Sequence, residues 1–353
     1  MLAAEPARIR SAWEGRISGC LLGKPVELLS MREGHVSLAT YLKDADADPL
    51  RDYVPPLAGR IPEARMNACK GRFDRAVWDD DINYSVLALI LLERHGRQLT
   101  AADVGRAWLT LLPGGTTFTA ERAAYATMLQ EAGNGFVFGA EPGFDLALCS
   151  ENPFNDWIGA QIRADVYGWV CPGEPALAAE LATRDAELSH RGDGIYGAAF
   201  VAALGAAIPA ESSLDVAIDA ALATIPADSR CAEAVAFGRE LTGAADAVAR
   251  LHQRYDDLSP VHTVNNLALV VWALTTGWAD FSRAIGEAVA AGWDTDCNGA
   301  TVGALWGLSG RPIPAHWTEP WNARVEVTLA GMGEVTLDEL VERTMQVAAE
   351  LRE

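Results

Sequence analysis

Two stripes of glycine constrain this chain more than any other feature. Gly15, Gly19 and Gly23 recur at every fourth position, and so do Gly299, Gly303 and Gly307. That spacing puts each set on one face of a helix. Glycine disfavours a helix interior by about 1 kcal/mol relative to alanine, so a repeated stripe needs a packing reason. Lacking a β-carbon, it lets another backbone approach closely. Each stripe is therefore expected deep in the core with a helix neighbour. Beside the first, Ile9, Trp13, Ile17 and Leu21 also repeat every four residues and mark a buried face.

The rest of the chain reads as helical. Residues 86–96 are apolar nearly all round, as befits a central helix. Helical spacing recurs over 176–190, 195–207, 214–225, 231–252, 264–276, 281–291 and 336–351. Residues 112–125 read as a glycine turn, containing Gly115, that leads into a helix start near Thr119, Glu121 and Arg122. Residues 44–77 and 132–156 read as long irregular stretches. Alternation around Gly331 and Gly333 suggests one short β-hairpin before the last helix. No βαβ rhythm, repeat or linker is visible, so the expectation is an all-α fold, one compact multi-helix domain over residues 1–353.

Composition narrows the function. Half of the 353 residues are hydrophobic, enough for a sizeable core, and the formal net charge is -20. Nucleic-acid affinity comes mainly from neutralising phosphates, so an acidic chain argues against such a partner. No uncharged apolar run is long enough to span a bilayer, which argues against a membrane. The six cysteines are scattered without a CxxC pair, which supports neither a disulfide framework nor a zinc cluster. The start MLAAEPARIR lacks a signal-peptide core, so the cytoplasm is the expected compartment.

The chemistry concentrates in two acidic runs. Asp79, Asp80 and Asp81 open the central apolar helix, and Asp294 and Asp296 lead into the helix of the second glycine stripe. An aspartate before a helix is ordinarily a cap. One cap needs one side chain, however, and further buried carboxylates would repel one another and lose hydration. A divalent cation removes that conflict, and oxygen donors suit Mg²⁺ or Mn²⁺. Two clusters would hold two ions if the helices meet at their N-termini.

The segments GCLLGKPVE (19–27), DDDINYSVLALILLE (79–93), IGAQIRADVYG (158–168), RDAELSH (184–190) and DTDCNGATVGALWG (294–307) together resemble the ADP-ribosylglycohydrolase family of the dinitrogenase-reductase-activating type, in the family's order. The resemblance implies a compact all-helical domain with a binuclear Mg²⁺ or Mn²⁺ centre. It implies metal ligation by Asp79, Asp80, Asp81, Asp294, Asp296 and Cys297, with Glu27, Asp80 and Asp296 as catalytic groups. It also implies that His190 lies beside the ribose and that Gly159 and Ala160 cradle a diphosphate. Gly115 in the glycine turn is a further expected substrate contact, and Trp293 beside Asp294 offers a face for stacking a ring. The sequence departs from the family at three points. Asp79 stands for a threonine, Cys297 for a hydroxyl ligand, and Ile158 for a common asparagine. A neutral thiol is a poor Mg²⁺ ligand, so Cys297 is expected beside the metal without tight ligation.

The implied activity is metal-dependent hydrolysis of a ribosyl glycosidic bond in an ADP-ribosylated protein or related conjugate. The alternatives are an N-ribosyl hydrolase acting on a small ribosylated metabolite and a non-catalytic, crystallin-type relative. The intact set of five aspartates argues against the last. Ile158 and the acidic surface lean toward the small metabolite.

Overall fold

The two glycine stripes are the two halves of one helix contact. In the computed structural model, which describes residues 1–353, the helices Pro6–Gly23 and Thr295–Gly307 pack antiparallel. Gly15 faces Gly303, Gly19 faces Gly299, Gly23 faces Thr295, and Gly307 faces Ser11. A β-carbon on Gly19 would lie 1.9 Å from the carbonyl oxygen of Gly299, and one on Gly303 would lie 2.1 Å from that of Gly15. No side chain fits there. The backbones touch along the whole contact, and this brings the C-terminal end of the first helix to the N-terminal end of the other. The Thr295 hydroxyl closes that junction by donating to the Gly23 carbonyl at 2.9 Å.

Other helices pack around this pair. Asp80–His95 is buried almost throughout, as its apolar sequence requires, and stops at Gly96. The C-terminal helix Leu337–Arg352 docks through Thr344, which accepts from the Trp13 indole at 3.0 Å. About 63% of the residues are helical, and the sheet is a single antiparallel pair, Arg324–Glu326 with Glu334–Thr336. The all-α expectation and the C-terminal hairpin both hold. The hairpin also serves the acidic run. Val325 bridges Ala76, and the Glu326 carboxylate accepts from the Trp78 amide at 3.2 Å, which fixes the chain just before Asp79. No helix is long and apolar enough to cross a membrane.

Two helix expectations need correction. Residues 231–252 form two helices, Arg230–Glu240 and Ala247–Arg254, because the chain turns at Gly243 with φ +71°. The 176–190 helix ends at Ala186, so His190 lies beyond the helix rather than at its last turn.

Candidate metal centre and cavity

The acidic runs meet because three helix ends meet. Asp79 caps the Asp80–His95 helix, accepting from the Asp81 amide at 3.1 Å. Capping thus accounts for Asp79. It does not account for Asp294, which precedes the Thr295–Gly307 helix without a side-chain cap bond. The two runs are joined directly where the Cys297 thiol donates to Asp81 Oδ2 at 3.2 Å. A thiol that donates is protonated, and burial beside Asp294 and Asp81 pushes its pKa well up.

Three cations that sequence reasoning did not single out are built into this cluster. Arg16, fully buried on the first glycine helix, pairs with Asp81 at 3.1 Å and Asp165 at 2.6 Å. Lys24, one residue past that helix, reaches Asp79 at 2.5 Å. Arg65 pairs with Glu27 at 2.6 Å. Left without such partners are Asp80, Asp294 and Asp296. The Oδ1 atoms of Asp294 and Asp296 are buried with no donor.

The electrostatics follow from this division. Burial would raise Asp79, but the Lys24 ammonium holds it below the usual carboxylate range. Burial raises Asp80 well above that range, reinforced by the charges of Asp79, Asp296 and Glu27. Asp294 is pushed well up by burial and by Asp296, and Glu27 by burial and Asp296 against the pull of Arg65. Asp296 is raised by burial and Asp79. These buried, unpaired oxygens are hard donors that fit a divalent cation, which would hold in place the charge they otherwise shed by protonation.

The acids wall one side of a cavity of about 590 Å³. Lys24, Glu27, Arg65, Asp79, Asp80, Asp294, Asp296 and Cys297 line it with polar groups, and Leu28, Met31, Phe118, Trp157, Ile158, Pro260 and Val261 add apolar ones. Thr119 lines the cavity with φ +40°, a conformation that a β-branched residue rarely takes and that strained sites retain. Of the residues expected near substrate, Gly159 lines the cavity. A β-carbon there would lie 2.1 Å from the Glu121 carboxylate, so the glycine is what lets Glu121 reach the wall. Ala160 is buried behind it, and Gly115 is exposed away from the lining. Trp293 is buried with its ring 4.3 Å from that of His252, and Asp81 lies behind the wall with Arg16.

His190 is also behind the wall. It is fully buried, its Nδ1 is 2.8 Å from Ser189 Oγ, and its Nε2 is 3.8 Å from Glu121. Burial and the Arg163 charge lower its pKa well below the usual value, so the ring is neutral. Arg163 holds the group together, pairing with Glu121 at 2.6 Å and with Asp185, and donating to Ser189 Oγ at 2.9 Å. The sequence singled out Glu121 and His190 in this network, but nothing in it marked Arg163 as the group that ties them together.

One consequence is measurable. In the folded protein Glu27, Asp80 and Asp294 keep protons above the ordinary carboxylate range. A raised folded pKa stabilises fully at pH below the unfolded value, and that contribution is lost as pH rises through the folded pKa. A cation competes with those protons. Mn²⁺ affinity is therefore expected to rise with pH, by about tenfold per unit for each proton displaced. Calorimetric titration across the neutral range checks this, and a flat profile would contradict it.

A family model described as ADP-ribosylglycohydrolase matches residues 1–350. Among solved structures, one described as an ADP-ribosylglycohydrolase-related protein complex superposes with a TM-score of 0.50 at 17% identity, covering 97% of this chain and 98% of that one. Comparison with curated proteins gives no significant match.

Proposed function

The chain belongs to the ADP-ribosylglycohydrolase family of glycoside hydrolases, and from that premise we propose that it cleaves a ribosyl glycosidic bond in a divalent-cation-dependent reaction. The observation that carries the reading is the set of buried, partnerless carboxylate oxygens on Asp294 and Asp296 at the acidic wall of the cavity. Asp80, Asp294 and Asp296 would hold the cation, and the bound ion would lower the pKa of water and orient the ribose hydroxyls. Glu27, whose proton the bound cation would displace, would then accept the proton of the attacking water. The acidic wall favours the positive charge that develops on the sugar as the leaving group departs. Phe118, Trp157, Pro260 and Val261 give an aromatic leaving group an apolar face and exclude water.

The cavity favours a small ribosylated molecule without a diphosphate over an ADP-ribosylated protein. Its cationic side chains are Lys24 and Arg65, and both are committed to carboxylates. No free cation remains on the wall to meet two phosphates, and Ile158 supplies no polar side-chain contact. With Mn²⁺ present, nucleosides and pyridinium ribosides are expected to be hydrolysed with kcat/KM at least about tenfold above that for an ADP-ribosylated arginine peptide, a preference near 1.4 kcal/mol. Mass spectrometry of the released base or ribose reads the result. A preference for the peptide would overturn the substrate class, and no turnover of any of these would overturn the hydrolase reading.

A further inference from the structure

The number of ions follows from how the buried donors are already used, an inference that rests on reading the acidic wall as a cation centre. The donors fall into two groups, Cys20 with Asp79 and Asp81, and Asp294 with Asp296 and Cys297. In the first, every carboxylate oxygen already accepts a hydrogen bond. Asp79 Oδ2 accepts from Lys24 at 2.5 Å, and its Oδ1 accepts from the Asp81 amide at 3.1 Å. Asp81 Oδ1 accepts from Arg16 at 3.1 Å, and its Oδ2 from Cys297 at 3.2 Å. The second group is open. Asp294 and Asp296 are each 3% exposed, yet each has an Oδ1 with no partner.

Lys24 is held as a fixed cation rather than a passing one. Its ammonium also donates to the Trp78 carbonyl at 2.7 Å, lies 5.1 Å from the centre of the Trp78 ring, and belongs to a side chain only 9% exposed. Its backbone is set by the glycine contact, which ends one residue earlier at Gly23. An ammonium has three donors and no open coordination position, so it can neutralise Asp79 but cannot activate a water. We propose that Lys24 takes the place of a second metal ion, and that the centre binds one divalent cation, at the open oxygens of Asp294 and Asp296 with Asp80 beside them.

Equilibrium dialysis of the full chain against Mn²⁺, with the metal counted by plasma mass spectrometry, tests this together with the electron paramagnetic resonance of the bound ion. One Mn²⁺ per chain with the hyperfine pattern of an isolated ion is expected. Lys24→Met keeps the apolar stem and frees Asp79, so it is expected to bind a second Mn²⁺ and show spin coupling between the two. Lys24→Leu, which also removes the donor to Asp79 and is expected to bind a second Mn²⁺ in the same way, covers the case in which the methionine variant does not fold. Two ions per wild-type chain would overturn the inference while leaving the cation centre intact, and no bound ion would overturn the centre itself. A folded variant that still binds only one ion would remove Lys24 from the explanation.

Discussion

Asp296→Asn is expected to lower kcat/KM by about 10³-fold or more while making the metal-free protein more stable. The two effects have opposite signs because one carboxylate serves two ends. In the proposed reaction it would be an anionic ligand to a cation that would contribute several kcal/mol to the transition state, and each 1.36 kcal/mol is tenfold in rate. In the metal-free fold it is a buried charge raised above the usual range by burial and Asp79. A raised folded pKa means that the fold prefers the neutral form, so an uncharged isostere removes a penalty at neutral pH. Steady-state kinetics and Mn²⁺ calorimetry read the first effect, and thermal melting in chelator reads the second. Undiminished Mn²⁺ binding in the variant would remove Asp296 from the ligand set. A metal-free variant less stable than wild type would mean that its charge is compensated in a way the cluster geometry does not provide.

Gly303→Leu is expected to abolish folding, and Gly303→Ala to cost about 1–3 kcal/mol or more through overpacking. The added β-carbon meets the Gly15 carbonyl oxygen at 2.1 Å, and what it meets is backbone that cannot rotate away. The two helices must separate, and separation also moves Gly23 and Lys24 away from Thr295 and Asp296. The alanine variant should therefore lose Mn²⁺ affinity as well as stability, although it touches no ligand. Gly333→Ala is the control, since a β-carbon there meets nothing within 4 Å and a change within about 0.5 kcal/mol is expected. Equal urea midpoints for the two alanine variants would show that the glycine contact is not what holds the helices together.

Much of the fold is legible in the residues because helices report themselves locally. The four-residue glycine spacing, the apolar run after Asp81 and the alternation near Gly331 each reflect a periodic demand on a short segment. Where the expectations were wrong, the deciding signal was also local but weak: a turn at Gly243, and a helix that stops at Ala186 before reaching His190. The carboxylate runs are visible for a different reason, since several charges at one buried helix start are costly without an ion.

Partnership is not legible in the same way. Nothing in the spacing says that Gly15 faces Gly303, that Lys24 meets Asp79, or that Arg163 ties Glu121 to a wall that hides His190. Those pairs lie far apart in sequence, and their energies depend on distance and burial, which a list of residues does not contain. By itself the sequence determined most of the helices, the acidic ends and the family. The tertiary structure decided which acids keep free oxygens, because a carboxylate is open to a cation only where no buried lysine, arginine or thiol has reached it first.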